Sequence, residues 1–266
     1  MTSPRVNTNS LKAVYGDGAM SYDELWHPVI RPPALALIRA LGLENASRVL
    51  DVGTGALTAP LRAVAPRAVI VSVDASAAML HVARAHAQAT ACLADASRLP
   101  FPRASVDAVL LAYVLFHLLD PGAGAHEAAR VLRSGGSAGT VTWASETQPN
   151  AATVWDDTLG EFGVPTLPDH GNHTGLDTED HVRALLATNG LTPTRAWREP
   201  IEHAFTPEIY LRLRSGGGSS RARLARVDAH TAGAAIAEAR QRLRALDPSD
   251  FVFRGEVICT ISHKPS

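Results

Sequence analysis

Three carboxylates and two glycines are placed where they can grip a ligand. Arg48-Val49-Leu50-Asp51-Val52-Gly53-Thr54-Gly55 is a short apolar run that ends in an acid and two glycines spaced by one residue. Glycines directly after a strand permit a tight turn, and without a Cβ they let a ligand lie against the backbone. Leu57 to Val64 can then start a helix whose free N–H groups face that ligand. Asp74 closes a second apolar run, Ala68 to Val73, and Asp95 closes a weaker third one, Ala89 to Ala94. An acid after the second strand can accept both hydroxyls of a ribose, and one after the third can accept the exocyclic amine of adenine. Asp51, beside the glycines, can face a cationic amine. A ligand with an amine, a ribose and an adenine but no pyrophosphate is S-adenosylmethionine. A dinucleotide would need Gly-x-Gly-x-x-Gly, and Thr58 stands at the sixth position here.

The elements that must hold these groups alternate along the chain. Val106 to Ala112 is a continuous apolar strand, fit for the middle of a sheet. A fifth strand is expected at Ala138–Trp143, a sixth at Leu191–Glu199, and a last one from Phe251–Phe253 into Val257–Ile261. Helices are expected at Ala75–Gln88 and Glu127–Leu132, with Ser134-Gly135-Gly136 as a turn and Leu99–Arg103 irregular. Strands alternating with helices predict a parallel sheet covered on both faces. All three acids then fall at its carboxyl edge, where ligands bind at the topological switch point.

With 266 residues, 46% of them apolar, the chain is one large domain or a domain with a modest insert. A net charge of −1 gives no field to attract nucleic acid or an anionic membrane, and neither is expected as a partner. Cys92 and Cys259 suggest no disulfide framework, and no apolar run approaches the roughly 20 residues of a membrane span. Met1–Ser10 carries no signal-peptide pattern, so a cytoplasmic protein is expected.

In order along the chain, Val49–Gly55, Val73-Asp74-Ala75-Ser76, Ala94-Asp95-Ala96, Leu99-Pro100-Phe101-Pro102, Val106–Val109, Val114–Pro121 and Arg130–Gly136 resemble the class I S-adenosylmethionine-dependent methyltransferases. Within them the likeness is to the small-molecule group related to the ubiquinone/menaquinone C-methyltransferases, and it covers roughly Ser47 to Trp143. One departure stands out: where that family has a third glycine, this chain has Leu57, or else the loop is two residues shorter. The resemblance implies an α/β fold, a Rossmann-like doubly wound seven-stranded sheet, mostly parallel with an antiparallel last strand, plus helical cap elements. It implies a cofactor set of Asp51, Gly53, Thr54, Gly55, Asp74, Ala75, Asp95, Ala96 and Ala112. Residues 1–44 form an N-terminal helical cap segment, which in the family lines the acceptor pocket. Tyr15, Tyr22 and Trp26 in it can face the sulfonium, a cation attracted to aromatic rings; Tyr113 and Phe116 complete the expected substrate set. His117 follows the fourth strand and is the candidate general base.

The remainder, 45–266, is the methyltransferase domain, with a lid loop at 144–178 and a helical insert at 206–247. Asp177 or Thr178 caps a helix through Leu186, Thr206-Pro207 starts another, and Ser215–Ser220 reads as a flexible link. His170, His173 and His181 fit no common zinc framework, so no metal is expected. Arg212, Arg214, Arg221, Arg223 and Arg226 read as a solvated helix face. The expected activity is methyl transfer from S-adenosylmethionine to a small, hydrophobic or aromatic acceptor, with a homodimer as the candidate assembly. The alternative is a protein that binds this cofactor or another ligand on the same fold but has lost transfer through the shortened loop.

Overall fold

The apolar runs read above become strands of one sheet. The computed structural model describes residues 19–53, 57–87, 90–167 and 175–266. Among them lie β1 (Arg48–Val52), β2 (Val69–Asp74), β3 (Thr90–Leu93), β4 (Val106–Ala112), β5 (Leu132–Thr147), β6 (Thr192–Ala204) and β7 (Val252–His263). Their order is β3-β2-β1-β4-β5-β7-β6, parallel from β3 to β5, with β7 antiparallel to both of its neighbours. The expected fold class is the one observed.

Burial explains the order. In β4, Ala108, Val109, Leu110 and Leu111 are at most 1% exposed, which only a strand flanked and covered on both faces allows. Each fully buried Val or Leu stabilises the fold by about 1.5–3 kcal/mol relative to leaving it in water. β3 and β6, at the two ends, are the most open strands, and β6 shows Arg195, Arg198, Glu199 and Glu202 along its edge. Charges on an edge discourage pairing with another chain.

The flanking helices are α1 (His27–Ala40), α2 (Thr58–Val64), α3 (Ala77–Ala87), α4 (Pro121–Val131), α5 (Asn150–Glu161), α6 (Glu179–Thr188), α7 (Pro207–Gly216), α8 (Gly218–Leu224) and α9 (Ala229–Leu243). A five-residue π-helical turn, Tyr22–Trp26, leads into α1. Helix α1 lies close on β5 because Gly139 has no side chain: a Cβ there would come within 2.9 Å of Leu41 and 3.2 Å of Leu37.

Five expectations need correction, the first being the turn at Ser134-Gly135-Gly136, which lies inside β5. Helix α4 begins at Pro121, not Glu127; Asp120 caps it by accepting from the N–H of Gly122 and Ala123, at 2.9 and 3.2 Å. Its glycines look like breakers in sequence, but Gly124 is there for packing, since a Cβ would meet Leu118 at 2.4 Å. The first part of the expected lid loop at 144–178 is regular: β5 runs on to Thr147, and α5 buries Ala151, Ala152, Trp155, Thr158 and Leu159, while 168–174 lie outside the described residues. The expected link at Ser215–Ser220 is helical on both sides of Gly217. Finally, the arginine run is a solvated face only in part: Arg212 and Arg226 are exposed, but the others are not. Arg212 pairs with Glu24, Arg214 and Arg223 both pair with Asp156, and Arg223 is only 7% exposed. The Arg212 pair fastens α7 to the N-terminal segment, and the Asp156 pairs fasten α5 to α7 and α8.

The Pro-rich stretch after β3 is held by a buried-edge network. Arg130 on α4 donates to the carbonyls of Leu99 and Phe101, each at 2.8 Å, and to Glu127, whose carboxylate accepts the N–H of Leu99 at 2.7 Å. The guanidinium holds the Glu127 carboxyl below its ordinary range. Charge-assisted bonds of this kind fix a loop that has no ladder of its own.

Candidate functional site

A cleft of about 390 Å³ opens at the carboxyl ends of β1, β2 and β4, with α1 as its far wall. That is the reversal point of the strand order, where β1 has β2 on one side and β4 on the other.

Gly53 forms the end of β1. Its φ is +72°, and its N–H donates to the Val73 carbonyl at 2.7 Å. A Cβ there would fall 2.2 Å from Val114, so both the left-handed conformation and the close approach require glycine. Leu57 also lines the cleft. Thr54 and Gly55 lie outside the described residues. Asp51 is 1% exposed and does not line the wall; the Thr58 hydroxyl donates to it at 3.3 Å and shares a 2.7 Å hydrogen bond with Ser72.

Asp74, Ala75 and Ser76 bring the end of β2 into the wall. One oxygen of Asp74 accepts the N–H of Ser76 at 2.7 Å. Burial pushes its carboxyl up to about 7; the Ser76 and Ala75 N–H groups pull it down and the Asp51 charge pushes it up again. Asp95 repeats the turn after β3, accepting the N–H of Ser97 at 2.8 Å, and Asp95, Ala96 and Ser97 line the same cleft. Ala112 lines it from the end of β4.

Tyr113 and His117 follow β4, and both line the cleft. Tyr113 has a φ of +62°, unusual for a side chain of this size. Its buried hydroxyl donates to the Ile30 carbonyl in α1 at 2.9 Å. Burial first, and then the neighbouring Cys259, holds that phenol well above its ordinary range, so it stays a neutral donor. His117 ends a single 3-10 turn with its ring 4.3 Å from Phe116. Phe116 itself is buried and stands behind the wall rather than on it.

The N-terminal segment differs from expectation in one register. In an α-helix Tyr22 and Trp26, four apart, would share a face. Here the N–H of His27 reaches back to the Tyr22 carbonyl across five residues, so Tyr22 and His27 face the cleft instead. Trp26 turns away and packs edge-on against Phe253, at 5.2 Å and 73°. Phe253 meets Trp143 at 6.0 Å, and Trp143 meets Tyr113 at 5.6 Å, so an aromatic chain ties the segment to the sheet. Tyr15 lies outside the described residues. His27, with Asp23 3.8 Å away, and Arg31 are wall residues outside the expected site set. Spacing along α1 was the available signal: 27, 30, 31 and 34 make one helical face.

Among the described residues there is no group of three or more side chains able to hold a metal ion, and no helix long and apolar enough to cross a membrane. His170 and His173 lie outside those residues.

A methyltransferase-domain family matches residues 50–139. A demethylmenaquinone methyltransferase of Mycobacterium sp. (strain KMS) is 34% identical over 178 residues, covering 67% of this chain and 75% of that one. Among solved structures, the (4+2)-cyclase SpnF covers 100% of this chain and 99% of its own, at 15% identity and a TM-score of 0.60. The Haemonchus contortus phosphoethanolamine N-methyltransferase 2, solved with phosphomonomethylethanolamine and S-adenosylhomocysteine, covers 98% and 61%, at 18% identity and a TM-score of 0.55. These two likenesses are of fold. The sequence relative decides the family: the chain belongs to the class I S-adenosylmethionine-dependent methyltransferases, in the small-molecule group related to the ubiquinone/menaquinone C-methyltransferases.

Proposed function

We propose that this methyltransferase acts on a small hydrophobic or aromatic acceptor, taken up between α1 and the end of β4. One observation carries the reading. The Asp74 carboxylate and the glycine bend at Gly53 share the wall of one cleft, at the ends of adjacent parallel strands. A diol held at Asp74 and an adenine amine held at Asp95 would run a nucleoside along the ends of β2 and β3. Gly53, with no room for any side chain, would leave the backbone at the end of β1 open to the amino-acid tail. Asp51 would act there through charge, since it stands behind the wall. In this reading Ala75 and Ala96 flank the nucleoside, and Ala112 backs the methyl end.

When bound, the cofactor supplies a methyl group on a sulfonium, whose leaving group is a neutral thioether. What remains for the chain is to align the acceptor and exclude water. Helix α1 closes one side of the cleft with Ile30 and Ala34, and Tyr22 presents an aromatic ring beside them. The mostly apolar lining supports an apolar acceptor, as does the quinone methylation in the name of the Mycobacterium relative. His117, at the end of its turn, is the group suited to take a proton at an imidazole nitrogen as the acceptor is methylated. Tyr113 is not, because its proton is committed to the Ile30 carbonyl.

Calorimetry with S-adenosylhomocysteine tests the cofactor half. Asp74→Ala should weaken binding by about 1–3 kcal/mol, the cost of leaving a buried hydrogen-bonding pair unmade. An unchanged affinity would remove the ribose assignment. Transfer of a radiolabelled methyl to a panel of phenols and quinols tests the acceptor half.

A further inference from the structure

Asp156 on α5 holds two arginines at once. Arg214 of α7 reaches its two carboxylate oxygens at 3.2 and 3.1 Å, and Arg223 of α8 reaches one of the same oxygens. Among the described residues no other acid pairs with either guanidinium. Two positive charges therefore share one negative charge, and Arg223 is only 7% exposed. A buried cation without a counter-charge of its own is strongly disfavoured.

The hydrogen-bond donors are out of balance too. Arg223 donates from Nε to the Pro165 carbonyl at 3.0 Å and from Nη1 to Asp156, and its Nη2 is buried with no partner among the described residues. The same holds for Nε of Arg214. A third such group is the Tyr210 hydroxyl, one turn before Arg214, with the guanidinium carbon 6.0 Å from the ring centroid. Burial pushes the Tyr210 phenol up to about 12, with Arg214 pulling it down and Asp156 pushing it up, so it stays protonated and able to donate. A clasp between helices would match each arginine to an acid and leave no buried donor unmatched. None of these four residues lines the cleft.

We propose that Tyr210, Arg214 and Arg223 bind a compact anion of carboxylate size between α5, α7 and α8. Guanidinium N–H groups suit an oxyanion, and the hydroxyl adds a donor from the same helix as Arg214. One negative charge brings two arginines and Asp156 to neutrality, which favours a monoanion over a phosphate dianion. The three donor atoms are closed to water in this arrangement, so entry goes through the joint at Gly217, where α7 ends and α8 begins. Arg212, on the same helix, holds Glu24 in the turn that presents Tyr22, so the occupant bears on that wall of the cleft. Two sources share this chemistry: a free organic-acid anion, and a carboxylate carried by the acceptor. The site stands whatever the cofactor orientation.

The test is thermal unfolding of the full chain in increasing sodium acetate, against acetamide as the uncharged analogue, at constant sodium concentration. Tm should rise with acetate and level off as the site fills, and acetamide should not reproduce the rise. Tyr210→Phe keeps the ring and removes only the unpartnered hydroxyl; it should raise the half-saturating acetate concentration by about 10-fold. Arg223→Gln should abolish the saturating part, and Tyr210→Phe decides alone if that variant does not fold. A rise that never levels off, that acetamide matches, or that Tyr210→Phe leaves unaltered overturns the proposal. Benzoate then separates the sources: half-saturation at a tenth or less of the acetate concentration assigns the site to an aromatic acceptor's carboxylate, and parity assigns it to a free anion. Either ordering upholds the site.

Discussion

The two walls of the cleft are built in different ways. The sheet wall is backbone and short acids: Gly53, Asp74 and Asp95 sit at strand ends whose positions the parallel ladder dictates. The helical wall is side chains on α1 and on a π turn, so what it presents depends on helical register. A one-residue shift in a strand inverts its faces and is resisted by the whole core. In the Tyr22–Trp26 turn, the five-residue spacing puts His27 on the cleft with Tyr22 and Trp26 against Phe253. The sheet wall is therefore suited to a ligand of fixed shape, and the helical wall to one whose shape can change with the helical register.

The largest test of that contrast is Gly53→Ala. The substitution forces a side chain into the left-handed region and onto Val114, costing about 3–5 kcal/mol of stability from strain and overpacking together. Chemical denaturation measures it. Adding Val114→Ala should recover only the packing share; full recovery would show that φ is not a constraint and that the sheet wall is softer than described.

Trp26→Ala comes next. Loss of its edge contact with Phe253 should lower stability by about 2–3 kcal/mol while affinity for S-adenosylhomocysteine stays within about 2-fold. Tyr22→Ala should do the reverse, costing less than about 1 kcal/mol of stability and changing the acceptor KM. Equal effects of the two on the acceptor would restore the α-helical register and break the comparison.

That register marks the limit of what was legible in the sequence. β4 was readable to the residue, because an uninterrupted apolar run flanked by turns has one solution in a covered sheet. The glycine bend and the acids were readable because strand ends and backbone conformation restrict which residue types fit. Helix α4 was truncated in the reading because glycine lowers helix propensity, and only the packing of Gly124 on Leu118 shows why it is there. Helix α5 was hidden by polar composition around Trp155, and Asp156 holding Arg214 and Arg223 is a tertiary fact that no local pattern encodes. The π turn was invisible for the same reason: its signal is a hydrogen bond, not a residue type.

A smaller effect follows from Asp74. Its folded carboxyl titrates near 7, well above the ordinary 3.8, because burial disfavours the charge. Between about pH 4 and pH 7 the folded protein keeps a proton that the unfolded chain gives up, so this residue's contribution to stability falls as pH rises through that window. Binding of a diol needs the carboxylate as acceptor. Affinity for S-adenosylhomocysteine should therefore rise by up to about tenfold from pH 6 to pH 8, with a proton released on binding. Asp74→Asn should flatten the profile; a slope that survives would place the titrating group elsewhere, with His27 on the helical wall the first to examine.

The smallest effect joins the two walls. Tyr113 belongs to the sheet wall by sequence, yet its hydroxyl is used on α1, at the Ile30 carbonyl. Tyr113→Phe removes one buried hydrogen bond and leaves the ring against Trp143, so about 1 kcal/mol of stability should be lost. If the hydroxyl only fastens α1, acceptor and cofactor affinities should weaken together by a few-fold and the pH dependence of kcat should not move, since a phenol held well above 10 is not the group that titrates. If instead Tyr113 took the acceptor's proton, kcat would fall by two orders of magnitude or more with binding intact. The first outcome would mean that the helical wall is positioned by a donor on the sheet side, which is how a variable acceptor surface can stay in register with a fixed cofactor bed.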